Sequence, residues 1–362
     1  MDVEKRIIKE LSRLVEIESV SGNEHEILAY LENRLESLGL FPFRQKVVDD
    51  RYNLIWTDSP HPKVLFSAHV DTVSDFGSPE LYNPRIEGGR LYGRGSVDTK
   101  AGIAALILAL EIANERGVKV KDCAIAFTVD EEQEGLGSKM LPDAIRAKGA
   151  VVFEPTELLI CSAEAGSIEV RIEILGNPVH GGDFEAGDNP IMKALSLIGE
   201  FKTLSFIQGC HPLIGRGGFN ILEIKGGGNA LLVPHKCELL VDLRILPGQD
   251  LDVAKRELTQ LFEREGVNAE FVDVDSPFEL RGDEKIVGIL KRACRKAQGR
   301  EPRVSGIKSW TDAGHLVSGG IPSVVFGPGK LAVAHTPWEH VELDEVIAAV
   351  KVLYQIIEDV SK

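Results

Sequence analysis

The sequence predicts an α/β protein, with a main domain built on a largely parallel, buried sheet with helices on both faces and a smaller α+β domain inserted into it. Three observations carry this. At 362 residues, 43% of them hydrophobic, the chain is too long for most single cores and apolar enough to fill two. Between residues 53 and 154, short apolar runs alternate with a long helical pattern, an α/β signature. Near residue 165 the texture changes to strands of period-two alternation, and after about 275 it changes back.

Taken in order, residues 2–20 and 24–38 read as amphipathic helices. The second opens after SVSGNE, where Ser21 or Asn23 can cap it, and stops at Gly39. Strands follow at 53–57, 63–69, 122–129 and 149–153, the last three being unbroken apolar runs suited to a sheet covered on both faces. Between the second and third, TKAGIAALILALEIANERG is helical. From about 165, SIEVRIEILG, FNILEIKGGG and CELLVDLRILPG alternate as half-buried strands, with helices at NPIMKALSLIGEF and DVAKRELTQLFEREG. EKIVGILKRACRKAQG is helical again and PSVVFGPG is a buried strand. The expected boundaries are 1–164 and 276–362 for the main domain and 165–275 for the insertion.

Fifty-six acidic against 41 basic residues give a net charge of −15, which disfavours nucleic acid and anionic membranes as partners. No run of about 18 apolar residues occurs, so no spanning helix is expected. The N-terminus MDVEKRIIKELSRLVEI lacks the apolar core of a signal peptide, and five scattered cysteines without a C-x-x-C pair suit a reducing compartment. Together these read as a cytoplasmic protein.

Several predicted strands end in groups that bind cations. LFSAHVDTV places His69 and Asp71 on one side of an extended chain where its apolar run gives out; alone, the pair would cap a turn. In YGRGSVDTKAG, Asp98 precedes a helix beginning near Thr99, and alone it would be a helix cap. It stands where a nucleotide loop needs its third glycine, and a carboxylate there would repel pyrophosphate. AFTVDEEQEGLGS runs a buried strand into Asp130, Glu131, Glu132 and Glu134. Asp130 and Glu134 read as a solvated face. Glu131 and Glu132 sit at a carboxyl strand end, where open α/β sheets place ligands; one acid there can bind a cation while its neighbour takes a proton from water. Glu154 ends AVVFEPT, and His335 in AVAHTPWEHVEL follows a strand and a GPG loop, whereas His25 and His61 read as structural.

Two imidazoles and three carboxylates are too many anions to cluster without a cation. His and carboxylate donors suit zinc, with cobalt or manganese as substitutes. Two ions sharing one carboxylate, about 3.5–4 Å apart, would use all five groups.

SAHVDTV, GRGSVDTKAG, TVDEEQEG, FEPT, PVHGG, VDLRILPG and AHTPWEHVEL stand in an order that resembles the dinuclear metallohydrolases that include acetylornithine deacetylase, succinyl-diaminopimelate desuccinylase, aminoacylase and carboxypeptidase G. The similarity runs from about residue 5 to the C-terminus. It implies a two-zinc catalytic domain with an inserted dimerisation or lid domain, and a homodimer. Asp98 would bridge the metals, His69 and Glu154 would complete one site, and Glu132 and His335 the other. Glu131 would be the general base and Asp71 the acid that orients His69. His180 of PVHGG would stabilise the tetrahedral intermediate in a partner subunit, and Arg244 of VDLRILPG would bind a substrate carboxylate. Gly327 would also contact substrate. Relatives commonly carry an asparagine three or four positions before the proline matching Pro234; Leu231 and Ala230 stand there, and Asn229 is the nearest candidate. SWTDAGHL and FGPGKLAVAHTPWEHVEL look most like the deacetylase and desuccinylase branch, which implies an N-acyl amino acid as substrate, with a small-peptide metallopeptidase as the alternative. A non-catalytic scaffold would have lost the base or a ligand, and neither is lost.

Overall fold

The computed structural model describes residues 3–228 and 231–362, and the chain divides into two compact units. The first comprises Met1–Ser162, Leu280–Ser305 and Thr311–Lys362; the second comprises Ala163–Glu279 and Gly306–Trp310.

The sheet of the first unit runs in order through Phe43–Val48, Arg51–Thr57, Cys123–Thr128, Val64–His69, Ala150–Val152, Ser323–Val325 and Ile160–Glu164, with Val304–Ile307 also pairing with Ile160–Glu164. It is mixed. The four strands Cys123–Thr128, Val64–His69, Ala150–Val152 and Ser323–Val325 are mutually parallel, while the flanking pairs are antiparallel. The parallel centre is the part read as unbroken apolar runs, and every residue of Val64–His69, Cys123–Thr128 and Ala150–Val152 is buried. Arg51–Thr57 joins this centre antiparallel, a choice its apolar pattern does not reveal.

Helices flank the sheet in two groups. Lys100–Glu115 packs against Leu343–Val360 and Val3–Glu16, and Lys285–Gln298 packs against Leu343–Val360. Leu136–Ala144 and Asp312–Ser318 form the other group. Lys100–Glu115 is apolar nearly all round, as a helix enclosed by sheet and helices must be. Truncating one of its leucines to alanine would cost about 2–5 kcal/mol.

In the second unit the sheet order is Gly218–Gly226, Lys236–Ile245, Gly166–Leu175, Asn268–Asp275, antiparallel throughout. Ile168, Val170, Ile172 and Ile174 point to a core shared with helices Pro190–Phe201 and Leu251–Glu265. Both helices are capped locally: Asn189 accepts from the Ile191 amide, and Asp250 from those of Asp252 and Val253. Asn268–Asp275 is an edge strand absent from the sequence reading; it is largely exposed and acidic, features that protect an edge and mask its periodicity. Four of the five cysteines are buried, and Cys210 is exposed. Among the described residues no helix is long and apolar enough to cross a membrane.

Candidate metal centre

Parallel register gathers the first ligands. Ser67 stands opposite Val152 and His69 opposite Thr128, so His69, Glu154 and the turn bearing Glu131 and Glu132 leave the sheet at one level. Asp98 comes from the buried turn before helix Lys100–Glu115. His335 follows the short turn Leu331–Val333 with φ of 61°, a left-handed conformation uncommon for a non-glycine residue.

Asp98 lies between the two imidazoles. Its Oδ1 is 3.1 Å from His69 Nε2 and its Oδ2 is 3.3 Å from His335 Nε2. Glu154 Oε1 stands 3.6 Å from His69 Nε2, and Glu132 Oε2 3.0 Å from His335 Nε2. Two clusters result, His69–Asp98–Glu154 and Asp98–Glu132–His335, sharing Asp98. Glu131 groups with His69 and Glu132 and completes neither of those clusters. His335 is the half-exposed member; the Asp98 and Glu154 side chains are almost wholly buried.

Burial pushes the Glu131 and Glu154 carboxyls well above the usual carboxylate range, and neighbouring acids push further. Burial also raises Glu132. Burial works against the charge of Asp98, but hydrogen bonds from His335 and His69 outweigh it and hold the group low. Burial likewise opposes charge on the imidazoles, yet the surrounding carboxylates lift both, His335 to about 10. Protons on the imidazoles thus balance the cluster when no cation does. A divalent ion bound there would take the place of those protons, with the imidazole nitrogens as donors. Glu154 Oε1 is buried without a hydrogen-bond partner among the described residues, a costly state unless a cation meets it. The five donors fit two divalent ions sharing Asp98, and His with carboxylate oxygen is a zinc donor set.

The residues behind these ligands were less legible. Asp71 was expected to orient His69 through its carboxylate, but His69 Nδ1 lies 3.0 Å from the Asp71 backbone oxygen and 3.7 Å from Oδ1. The carboxylate instead accepts from the amides of Glu131 at 3.2 Å and Glu132 at 3.1 Å, and from the Ser21 hydroxyl at 2.7 Å. Asp71 therefore touches His69 and also holds the turn that carries the two acids. Ser21 serves this carboxylate and does not cap the helix His25–Ser37, whose cap position is Glu24. Asp130 is not solvated: it is buried and pairs at 2.7 Å with Arg51, which also binds Glu24.

Two further acids escaped the sequence reading. Glu339 Oε1 accepts from the amides of Val97 and Asp98, while Oε2 pairs at 2.6 Å with Arg94, both side chains being fully buried. Asp312 accepts from Thr128 Oγ1 at 2.7 Å, and burial raises its carboxyl to about 6. Their signals were present, in TPWEH and SWTDAGH, but neither residue ends an apolar run.

Gly327, read as a substrate contact, is buried with its polar groups spent internally. Its amide donates to Thr156 Oγ1, and its carbonyl accepts from the amides of Thr156 and Leu158. A side chain there would meet the Glu154 carbonyl at 2.6 Å, so the position serves close packing behind that ligand. In the second unit, His180 is exposed and its Nδ1 accepts from the Gly182 amide at 3.1 Å. Arg244 pairs with Asp242 at 2.7 Å. Asn229 lies outside the described residues.

The model of peptidase family M20/M25/M40 matches residues 65–359. An M20-domain protein of Schizosaccharomyces pombe is 28% identical over 341 residues, covering 92% of this chain and 79% of its own. Acetylornithine deacetylase of Myxococcus xanthus is 27% identical over 373 residues, covering 96% and 95%. Among solved structures, a tripeptidase of Staphylococcus aureus superposes with a TM-score of 0.83 at 22% identity, over 99% of this chain and 98% of that one. An M20 metallo-carboxypeptidase of Sulfolobus solfataricus gives 0.79 at 17% identity over the whole of both. These two share the fold.

Proposed function

The chain belongs to peptidase family M20/M25/M40 and is a metal-dependent hydrolase, and from that premise we propose that it cleaves the linear amide bond of a short peptide with a free carboxylate. One observation carries the proposal: Asp98 offers one oxygen to each of two imidazoles, while Glu131 groups with His69 and Glu132 outside both clusters. A peptide comes first, ahead of the N-acyl amino acid that the sequence motifs favoured, because a tripeptidase and a carboxypeptidase share the fold along the whole chain. The N-acyl reading keeps the support of the Myxococcus xanthus deacetylase.

In this reading His69 and Glu154 would hold one ion and Glu132 and His335 the other, with Asp98 available to both. The ions supply Lewis acidity and lower the pKa of water toward about 7. Glu131 takes the proton of the attacking water and returns it to the leaving amine; its burial keeps the carboxylate basic enough for both transfers. Asp71 keeps Glu131 and Glu132 in register by holding their amides. Arg244 pairs with the substrate carboxylate. His180 donates to the developing oxyanion of a second copy of the chain. Exposed Met192 and Leu195 on helix Pro190–Phe201, with Leu222 and Ile224 on the edge strand Gly218–Gly226, support a homodimer through the second unit.

The test is a panel of dipeptides, tripeptides, and N-acetyl and N-succinyl amino acids, offered to zinc- or cobalt-loaded protein before and after dialysis against a chelator. Peptides should be cleaved fastest and chelation should abolish turnover. Cleavage confined to N-acyl substrates would transfer the assignment to the second reading, and full turnover by metal-free protein would sink both.

A further inference from the structure

The second unit holds a cavity of about 220 Å³ whose charge runs against that of the chain. Arg216, Arg244 and Lys308 line it, with Asp242 as the one carboxylate, in a protein of net charge −15. Three cations gathered beside one anion repel each other, and an acidic chain has carboxylates to spare for pairing them. Only Arg244 is so paired, and its Nη1 is still buried without a partner among the described residues. Arg216 and Lys308 are exposed and have no ion-pair partner among the described residues.

The cations are carried on separate parts of the unit. Arg244 lies in the strand Lys236–Ile245, opposite Gly218. Arg216 lies in the small hairpin Cys210–His211 and Gly215–Arg216, two residues before Gly218, and Lys308 reaches that hairpin: its Cε lies 3.9 Å from where a Cβ would stand on Gly215. The cavity is smaller than the roughly 300–1,000 Å³ that encloses whole drug-sized ligands, so its size suits the end of a substrate.

We propose that this cavity is a two-carboxylate subsite, in which Arg244 holds one carboxylate and Arg216 with Lys308 a second, so that substrates ending in aspartate or glutamate are preferred. Calling the occupant a substrate rests on the hydrolase reading above; the affinity for a dicarboxylate does not. Arg216 and Lys308 work from the surface, where each pair is worth little and salt weakens it, so the contact to the second carboxylate acts as a preference and not as an absolute requirement.

Titration calorimetry on the metal-loaded protein tests this with glutarate, its monoamide and inorganic phosphate. At low salt, glutarate should bind about ten-fold more tightly than the monoamide. R216Q/K308Q, which changes two exposed side chains, should erase that difference while leaving monoamide binding unchanged; R244A should weaken both ligands. Equal binding of glutarate and monoamide, a preference that survives R216Q/K308Q, or phosphate binding as tightly as glutarate would overturn the proposal. In parallel, kcat/KM for Ala-Glu should exceed that for Ala-Gln, and the ratio should collapse in the double variant. If no peptide or N-acyl compound is cleaved while the glutarate preference persists and depends on Arg216 and Lys308, the hydrolase reading fails and the subsite stands.

Discussion

The metal-ligating turns of the first unit and the basic cavity of the second both gather like charges, yet they hold them in opposite ways. Among the candidate ligands the Asp98 and Glu154 carboxylates are buried, and the groups behind them are buried too. Asp71 is tied to two amides and a hydroxyl, and Glu339 to two amides and an arginine. Around the cavity, Arg216 and Lys308 stay in water on long, unbraced stems. Coordination tolerates only small displacements, so its charges are desolvated and fixed by a second layer of hydrogen bonds. Recognition of a carboxylate tolerates more, and a hydrated cation avoids the penalty of burial. If this contrast is right, changes around the metal-ligating turns should act steeply and on metal or chemistry, while changes at the basic cavity should act on the handling of substrate.

The largest effect should separate two neighbours. Glu131→Gln should lower turnover by about 10² to 10⁴-fold with metal content near normal, whereas Glu132→Gln should lose an ion, as counted by elemental analysis. The opposite pattern would exchange their roles.

His180→Ala should lower kcat by about 10² to 10³-fold with both ions retained. Mixed with Glu131→Gln protein under subunit exchange, it should regain activity above that of either variant, because one site of each hybrid is then intact. Verified hybrids without recovery would place His180 in its own chain's chemistry or in none, and would narrow the contrast between the units.

Glu339→Ala should weaken metal binding by about 10–100-fold, read by calorimetry. Glu339→Gln, which keeps an acceptor for the Val97 and Asp98 amides, should recover part of that loss. A variant that melts earlier when metal-free yet binds metal normally would make Glu339 a fold residue only.

Four of the five candidate ligands were legible because each stands where a pattern breaks. His69, Glu132 and Glu154 follow buried runs, and Asp98 precedes an apolar helix. The parallel centre of the sheet was legible for the same reason, since unbroken apolar runs mark strands covered on both faces. What supports the ligands was not. Ser21 lies 50 residues from Asp71, Asp312 184 from Thr128, and Glu339 241 from Asp98. No local periodicity signals a hydrogen bond across such spans. Asp130 was misread because an acid among acids resembles solvated surface until Arg51 is seen behind it. The close packing at Gly327 was not legible, because a glycine that admits a backbone and one that admits a ligand are alike in sequence.

The bond from Ser21 to Asp71 bears on where this protein can be cut. The match to the family model begins at residue 65, yet Ser21, Glu24 and Arg51 all lie before it and reach the acidic turn at 130–132, directly or through Asp71 and Asp130. Ile7, Leu11 and Leu14 of the first helix are sealed in the main core. A polypeptide begun at residue 65 would therefore keep every ligand and lose the far end of the scaffold that aims two of them. For this chain, the border of the family model and the border of a folding unit are different.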